Sequence, residues 1–192
     1  MSTKSALHLD IADHGAPLSR EEFTEATYEE PWRYELVKGR LVVTTPTGND
    51  HVDTGEPFRD AAVTYKLAHP ERVASVVNEA WISIDEQNQR IADLAAYLKS
   101  SRARQAIPHW IPELVFEIVG GGGEDRKRDY VDKRADYLQI GVKEYVIIDR
   151  FERRVTILRR ARSRFVESHL GPDDTYTTPL LPGLKIPLKD VI

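Results

Sequence analysis

The chain has 192 residues and a net charge of −4, with 41% apolar and 30% charged residues, the make-up of a globular protein with room for a substantial core. It has no cysteine, which excludes disulfides and thiolate metal sites. It also has no apolar stretch long enough to span a bilayer and no signal-peptide core at its start, so a cytoplasmic protein is expected. Charge is uneven. Met1 to Glu30 holds two basic and seven acidic residues, and Arg126 to Arg164 holds thirteen basic and six acidic. The second stretch can attract a polyanion, although taken alone a solvated basic face is the simpler account of it.

In chain order, residues 1–18 read as a loose tail, and 19–192 as one domain. Ser19-Arg20-Glu21-Glu22 is a capping box that opens a short helix. Tyr34 to Val37, then Lys38-Gly39, then Arg40 to Val43 reads as a hairpin with a two-residue turn. A helix follows from His51 to about Ala68, with Pro57 near its start or interrupting it. Three strands are expected at Val73–Val77, Ala80–Ile84 and Ile91–Leu98, then a polar connection from Ser100 to Trp110. Leu114 to Val119 is an apolar run that stops at four glycines, the pattern of a buried strand meeting a loop. Asp125 to Ile140 suits a helix with Gly141 as its C-terminal stop. Strands at Glu144–Asp149, Val155–Leu158 and Arg164–Ser168 and an extended apolar tail complete the chain. The order predicts a mixed α/β (α+β) fold, with a central mixed sheet flanked by helices. The glycine tract lacks the Gly-Lys-Ser/Thr ending of a phosphate loop.

Two of these strands carry an anomaly. Glu117 sits within Leu114-Val115-Phe116-Glu117-Ile118-Val119, and Asp93 within Ile91-Ala92-Asp93-Leu94-Ala95. A buried carboxylate is costly unless it is paired or binds a metal. From neighbouring strands both could hold one hard divalent ion such as Mg²⁺, which takes one or two carboxylates plus water and phosphate oxygens. The following helix offers Lys133, with Tyr130 and Tyr137 along the edge of its apolar stripe, a placement that leans the lysine inward. Two acids and a lysine of this kind suggest a metal-dependent phosphodiesterase site. Plainer accounts stand beside it: a core ion pair for Glu117, a strand-edge aspartate for Asp93, and a surface lysine paired with Asp129 or Asp136.

Several short motifs carry a resemblance. They are Glu22-Phe23, Tyr34-Glu35-Leu36-Val37-Lys38-Gly39-Arg40-Leu41, His51, Glu117-Ile118-Val119, Asp129, Lys133-Arg134-Ala135-Asp136-Tyr137, Gly141 through Asp149, and Leu180-Leu181-Pro182-Gly183-Leu184. In this order they resemble the Uma family of endonucleases, within the restriction-endonuclease-like PD-(D/E)XK superfamily, over nearly the whole chain after Leu18. The resemblance implies a restriction-endonuclease-like core with an added N-terminal hairpin and C-terminal strands. It implies Asp93 and Glu117 as metal ligands, Lys133 as the helix-borne lysine and Glu35 as a further catalytic acid. The family's proline before the first acid is Ala92 here, and its Ser-Pro-Ser after the glutamate is replaced by glycines.

The expected function is a Mg²⁺-dependent DNA endonuclease, with Mn²⁺ as a substitute ion and a homodimer as a plausible assembly for cutting two strands. Arg102, Arg104, Arg126, Lys127 and Arg128 are the candidates for phosphate contacts. The alternative is a non-catalytic interaction domain that retains the fold.

Overall fold

The computed structural model describes residues 7–99, 103–104 and 107–192, with side chains described over 7–99 and 110–192. The chain divides into two compact units, Met1–Thr47 with Trp81–Ile91, and Gly48–Ala80 with Ala92–Ile192. Two strands, Val73–Asp85 and Asn88–Leu98, each contribute to both units, so the division runs along strands rather than through a linker.

In the first unit Arg33–Val37 and Arg40–Thr44 form the expected antiparallel hairpin. Its turn residues Lys38 and Gly39 both have positive φ, 52° and 69°, which matches the right-handed twist of the flanking strands. Ser19 caps the helix Arg20–Glu25: its hydroxyl accepts from Glu22 N–H, and the Glu22 carboxylate accepts from Ser19 N–H. Residues 7–18 are not the loose tail that was expected. His8–Leu9 pairs in parallel with Thr27–Tyr28, and Ile11–Asp13 forms a single 3-10 turn capped by Asp10. Leu9 is buried with Phe23, Tyr34, Leu36, Leu41 and Val43, and that burial offsets the cost of ordering the segment.

The second unit holds a mixed sheet. Glu144–Asp149 pairs in parallel with Leu114–Ile118 and antiparallel with Arg154–Ala161, which pairs with Arg164–Leu170. The later part of Asn88–Leu98 pairs antiparallel with Leu114–Ile118 on the other side. The strand Val73–Asp85 is continuous where two were expected, with Glu79 at φ 47° marking the point where the sequence pattern broke. Leu114, Phe116 and Ile118 face a core completed by Phe58 and Tyr65 of the helix Asn49–Ala68 and by Tyr176, Leu181 and Leu184. Alternation then puts Glu117 on the opposite face, under the helical crossover from Gly123 to Ile140. Gly141 ends that crossover at φ 100°, as its position predicted. The apolar tail packs into the core instead of trailing from it, and Tyr176 and Thr178 donate hydroxyl hydrogen bonds to buried Glu144. No described helix is long and apolar enough to cross a membrane.

Candidate active site

The antiparallel register pairs Leu94 with Phe116, so the next step along the ladder sets Asp93 opposite Glu117. Both carboxylates therefore lie on the face away from Phe58. Asp93 is largely buried, and its Oδ2 accepts the Ile118 N–H at 2.8 Å. That amide fixes the carboxylate at the end of the Glu117 strand.

Glu117 is buried and takes two partners from one helix face. Lys133 Nζ donates to Oε2 at 2.8 Å, and the Tyr137 hydroxyl donates to Oε1 at 2.7 Å. Residues four apart share a helix face, so the Lys133–Tyr137 spacing is what lets one helix grip both oxygens. Lys133 is only 3% exposed, the inward-leaning lysine that the flanking tyrosines implied. Its Nζ also stands 3.8 Å from Oδ1 of buried Asp129.

The backbone that delivers Lys133 is not a plain α-helix. Arg128–Asp132 is a π turn between Gly123–Lys127 and Lys133–Ile140. In an α-helix Lys133 N–H would bond the carbonyl of Asp129. Here it bonds the Arg128 carbonyl, and the Asp129 carbonyl instead accepts the buried Tyr145 hydroxyl at 2.9 Å. A side chain inserted into the helix ladder is a recognised cause of such a bulge, and π turns recur at functional sites. Tyr145 packs edge-on against Tyr137 at 5.0 Å, so the π turn and the Glu117 grip form one cluster.

Burial raises the Glu117 pKa, Lys133 lowers it, and Asp93 and Asp129 raise it again, leaving it near 8. The attraction of one lysine does not offset burial together with two nearby acids. Tyr145, buried beside the same acids, has its pKa raised well above the ordinary phenol value and remains a neutral donor.

His51 stands in the first turn of Asn49–Ala68, and its Nε2 is 3.1 Å from Asp93 Oδ2. That is an ion-pair distance, yet the alignment does not make a hydrogen bond, and the buried Nε2 has no hydrogen-bond partner among the described residues. Gly55, four residues on, helps bring the helix close, because a Cβ there would meet Ile118 Cδ1 at 3.2 Å. Among the described residues no group of three or more His, Asp or Glu side chains is spaced to hold a metal ion unaided. Two features nevertheless fit a divalent cation: acidic groups crowded around Glu117, and an imidazole nitrogen left unsatisfied beside Asp93.

Glu35 belongs to the first unit, whereas Asp93, Glu117 and Lys133 belong to the second. It is buried rather than solvent-facing, accepting Ile91 N–H at 2.8 Å and Arg90 Nη1 at 3.3 Å. Of the expected phosphate-contact residues, Arg126 pairs with Asp149 and Glu152, and Arg128 lies 3.0 Å from Asp125 and 3.6 Å from Asp129. Lys127 is exposed. Arg102 and the side chain of Arg104 lie outside the described residues. Gly120 has a positional reason: a Cβ there would lie 2.4 Å from the Asp125 carboxylate, which accepts Gly122 N–H at the helix start.

The family model Uma2, described as "Putative restriction endonuclease", matches residues 20–189. The chain belongs to this family. A solved structure described as a "putative nuclease belonging to DUF820", from Anabaena variabilis ATCC 29413, superimposes with a TM-score of 0.73. The match covers 91% of this chain and 97% of that one at 16% identity, and shows a shared fold. Among curated proteins no match is found. The Uma2 match takes in every residue of the Asp93–Glu117–Lys133 cluster, and His51 with it.

Tyr137, Tyr145 and His51 are the site residues that sequence reasoning did not place. The Lys133–Tyr137 spacing carried the signal for Tyr137. Tyr145 had none, because its contact depends on how the crossover packs.

Proposed function

We propose that this chain is a divalent-metal-dependent DNA endonuclease that hydrolyses phosphodiester bonds at the Asp93–Glu117–Lys133 cluster. The observation that carries this reading is the buried Glu117 carboxylate, gripped by Lys133 and Tyr137 and set across a strand pair from Asp93. Asp93 and Glu117 would hold a Mg²⁺ or Mn²⁺ ion, which when bound polarises a phosphate and makes a water more acidic. Lys133 Nζ stabilises negative charge developing on the phosphate and orients the attacking water. Tyr137 fixes the glutamate rotamer, and Ile118 N–H fixes Asp93. Lys127, exposed on the crossover, contributes phosphate attraction without sequence choice. Cutting both strands of a duplex suits a homodimer.

The test is cleavage of plasmid and single-stranded DNA with Mg²⁺ or Mn²⁺, with Glu117→Ala and Lys133→Ala purified alongside. Cleavage by the parent that both substitutions remove supports the assignment. Cleavage that survives both places the chemistry elsewhere.

A further inference from the structure

His51 gives the proposed metal site a feature that two carboxylates and a lysine do not. Its Nε2 is buried, has no hydrogen-bond partner among the described residues, and stands 3.1 Å from Asp93 Oδ2 without pointing at it as a donor. Two electron-rich atoms at that separation repel unless a proton or a cation lies between them, and the alignment rules out a well-formed hydrogen bond. Neighbouring ligands of an octahedral ion, each about 2.1 Å from it at right angles, stand about 3.0 Å apart. The His51–Asp93 separation is that of two such ligands. The position is also built rather than incidental. His51 lies in the first turn of a 20-residue helix, and the same helix seats Gly55 against Ile118, the residue whose amide holds Asp93.

We propose that His51 Nε2 is a ligand of the ion held at Asp93, and that the site therefore prefers a transition ion such as Mn²⁺ over Mg²⁺. This rests on the metal-dependent reading above. Imidazole is a good ligand for transition ions and a poor one for Mg²⁺, which favours oxygen donors and retains several waters. The ion would then take a His51 nitrogen beside an Asp93 oxygen, with water among its remaining ligands.

The experiment is Mn²⁺ binding to the full chain, followed by electron paramagnetic resonance. Pulsed measurements read nitrogen nuclei coupled to the ion. The expected result is ¹⁴N modulation in the parent that changes to ¹⁵N in protein labelled with ¹⁵N-histidine. In His51→Gln the modulation disappears and the Mn²⁺ Kd rises about tenfold or more. Mg²⁺ affinity, read by competition, changes by less than about twofold. Mn²⁺ bound without histidine nitrogen coupling overturns the inference, and that result needs no variant to fold. If Asp93→Ala still abolishes binding in that case, the two-carboxylate reading survives. If the parent binds neither ion, or Asp93→Ala binds like the parent, both readings fall.

Discussion

Glu35 and Glu117 are both buried strand glutamates with a basic partner, one in each compact unit, and their surroundings differ in a way that separates structure from chemistry. Glu35 meets Arg90 and a backbone amide, the pattern of an acid balanced within the fold. Glu117 meets Lys133 and Tyr137 but also lies within the field of Asp93 and Asp129, which with burial hold its pKa near 8. A buried carboxylate is thus a weak sign of function. A buried carboxylate beside further acids that its lysine does not balance is a stronger one, because a cation can take the place of the proton that such a group otherwise keeps.

The sharpest way to break this comparison is to remove each glutamate. Glu117→Ala should lower DNA cleavage by about 10³-fold or more, the scale at which an essential electrostatic group acts. Glu35→Gln should leave cleavage per folded molecule within a few-fold of the parent. Its effect should appear in stability instead, since Arg90 loses its buried counter-charge, a loss worth about 3–5 kcal/mol. Urea unfolding measures it. A Glu35→Gln protein that is fully stable but inactive would reverse the two roles.

A second distinction concerns pH. Unfolded, Glu117 has the ordinary carboxyl pKa of 4.5, and in the metal-free fold it is near 8, so between these values the folded state binds more protons. Its contribution is therefore most favourable below about pH 4.5 and is lost as pH rises to about 8, a change on the order of a few kcal/mol. Metal-free unfolding measured across that window should show the decline, and Glu117→Gln should flatten it. A profile identical in the parent and Glu117→Gln would remove the excess-charge account.

The smallest expected effect comes from Tyr137→Phe. It deletes one buried hydrogen bond to Glu117 while keeping the ring against Tyr145, and should cost about 1–3 kcal/mol in unfolding measurements. No cost at all would mean that Glu117 does not depend on that grip.

Much of this was legible in the sequence where the signal is local. The Glu117 run, the Gly141 stop, the Lys38-Gly39 turn and the Ser19 capping box each depend on neighbours in the chain, and each element forms. The inward lean of Lys133 could be read from its spacing to Tyr137. What could not be read depends on packing between distant segments. The π turn arises because Tyr145, from the next strand, takes the Asp129 carbonyl. His51 approaches Asp93 across 42 positions of sequence. Glu35 shows no local sign of its partners, and the pairing of Leu36 with Gln89 brings Arg90 and Ile91 alongside it. The basic run from Arg126 to Arg128 reads as a phosphate patch, but net charge cannot reveal that two of its three members are held by acids of the same unit.

The most direct test is the titration of the Glu117 carboxyl itself, followed by ¹³C NMR with and without Mg²⁺. The account predicts a midpoint near 8 in metal-free protein and a marked downward shift when the ion binds. An ordinary carboxyl midpoint that Mg²⁺ leaves unmoved would contradict it, and Glu117 would then be a structural glutamate.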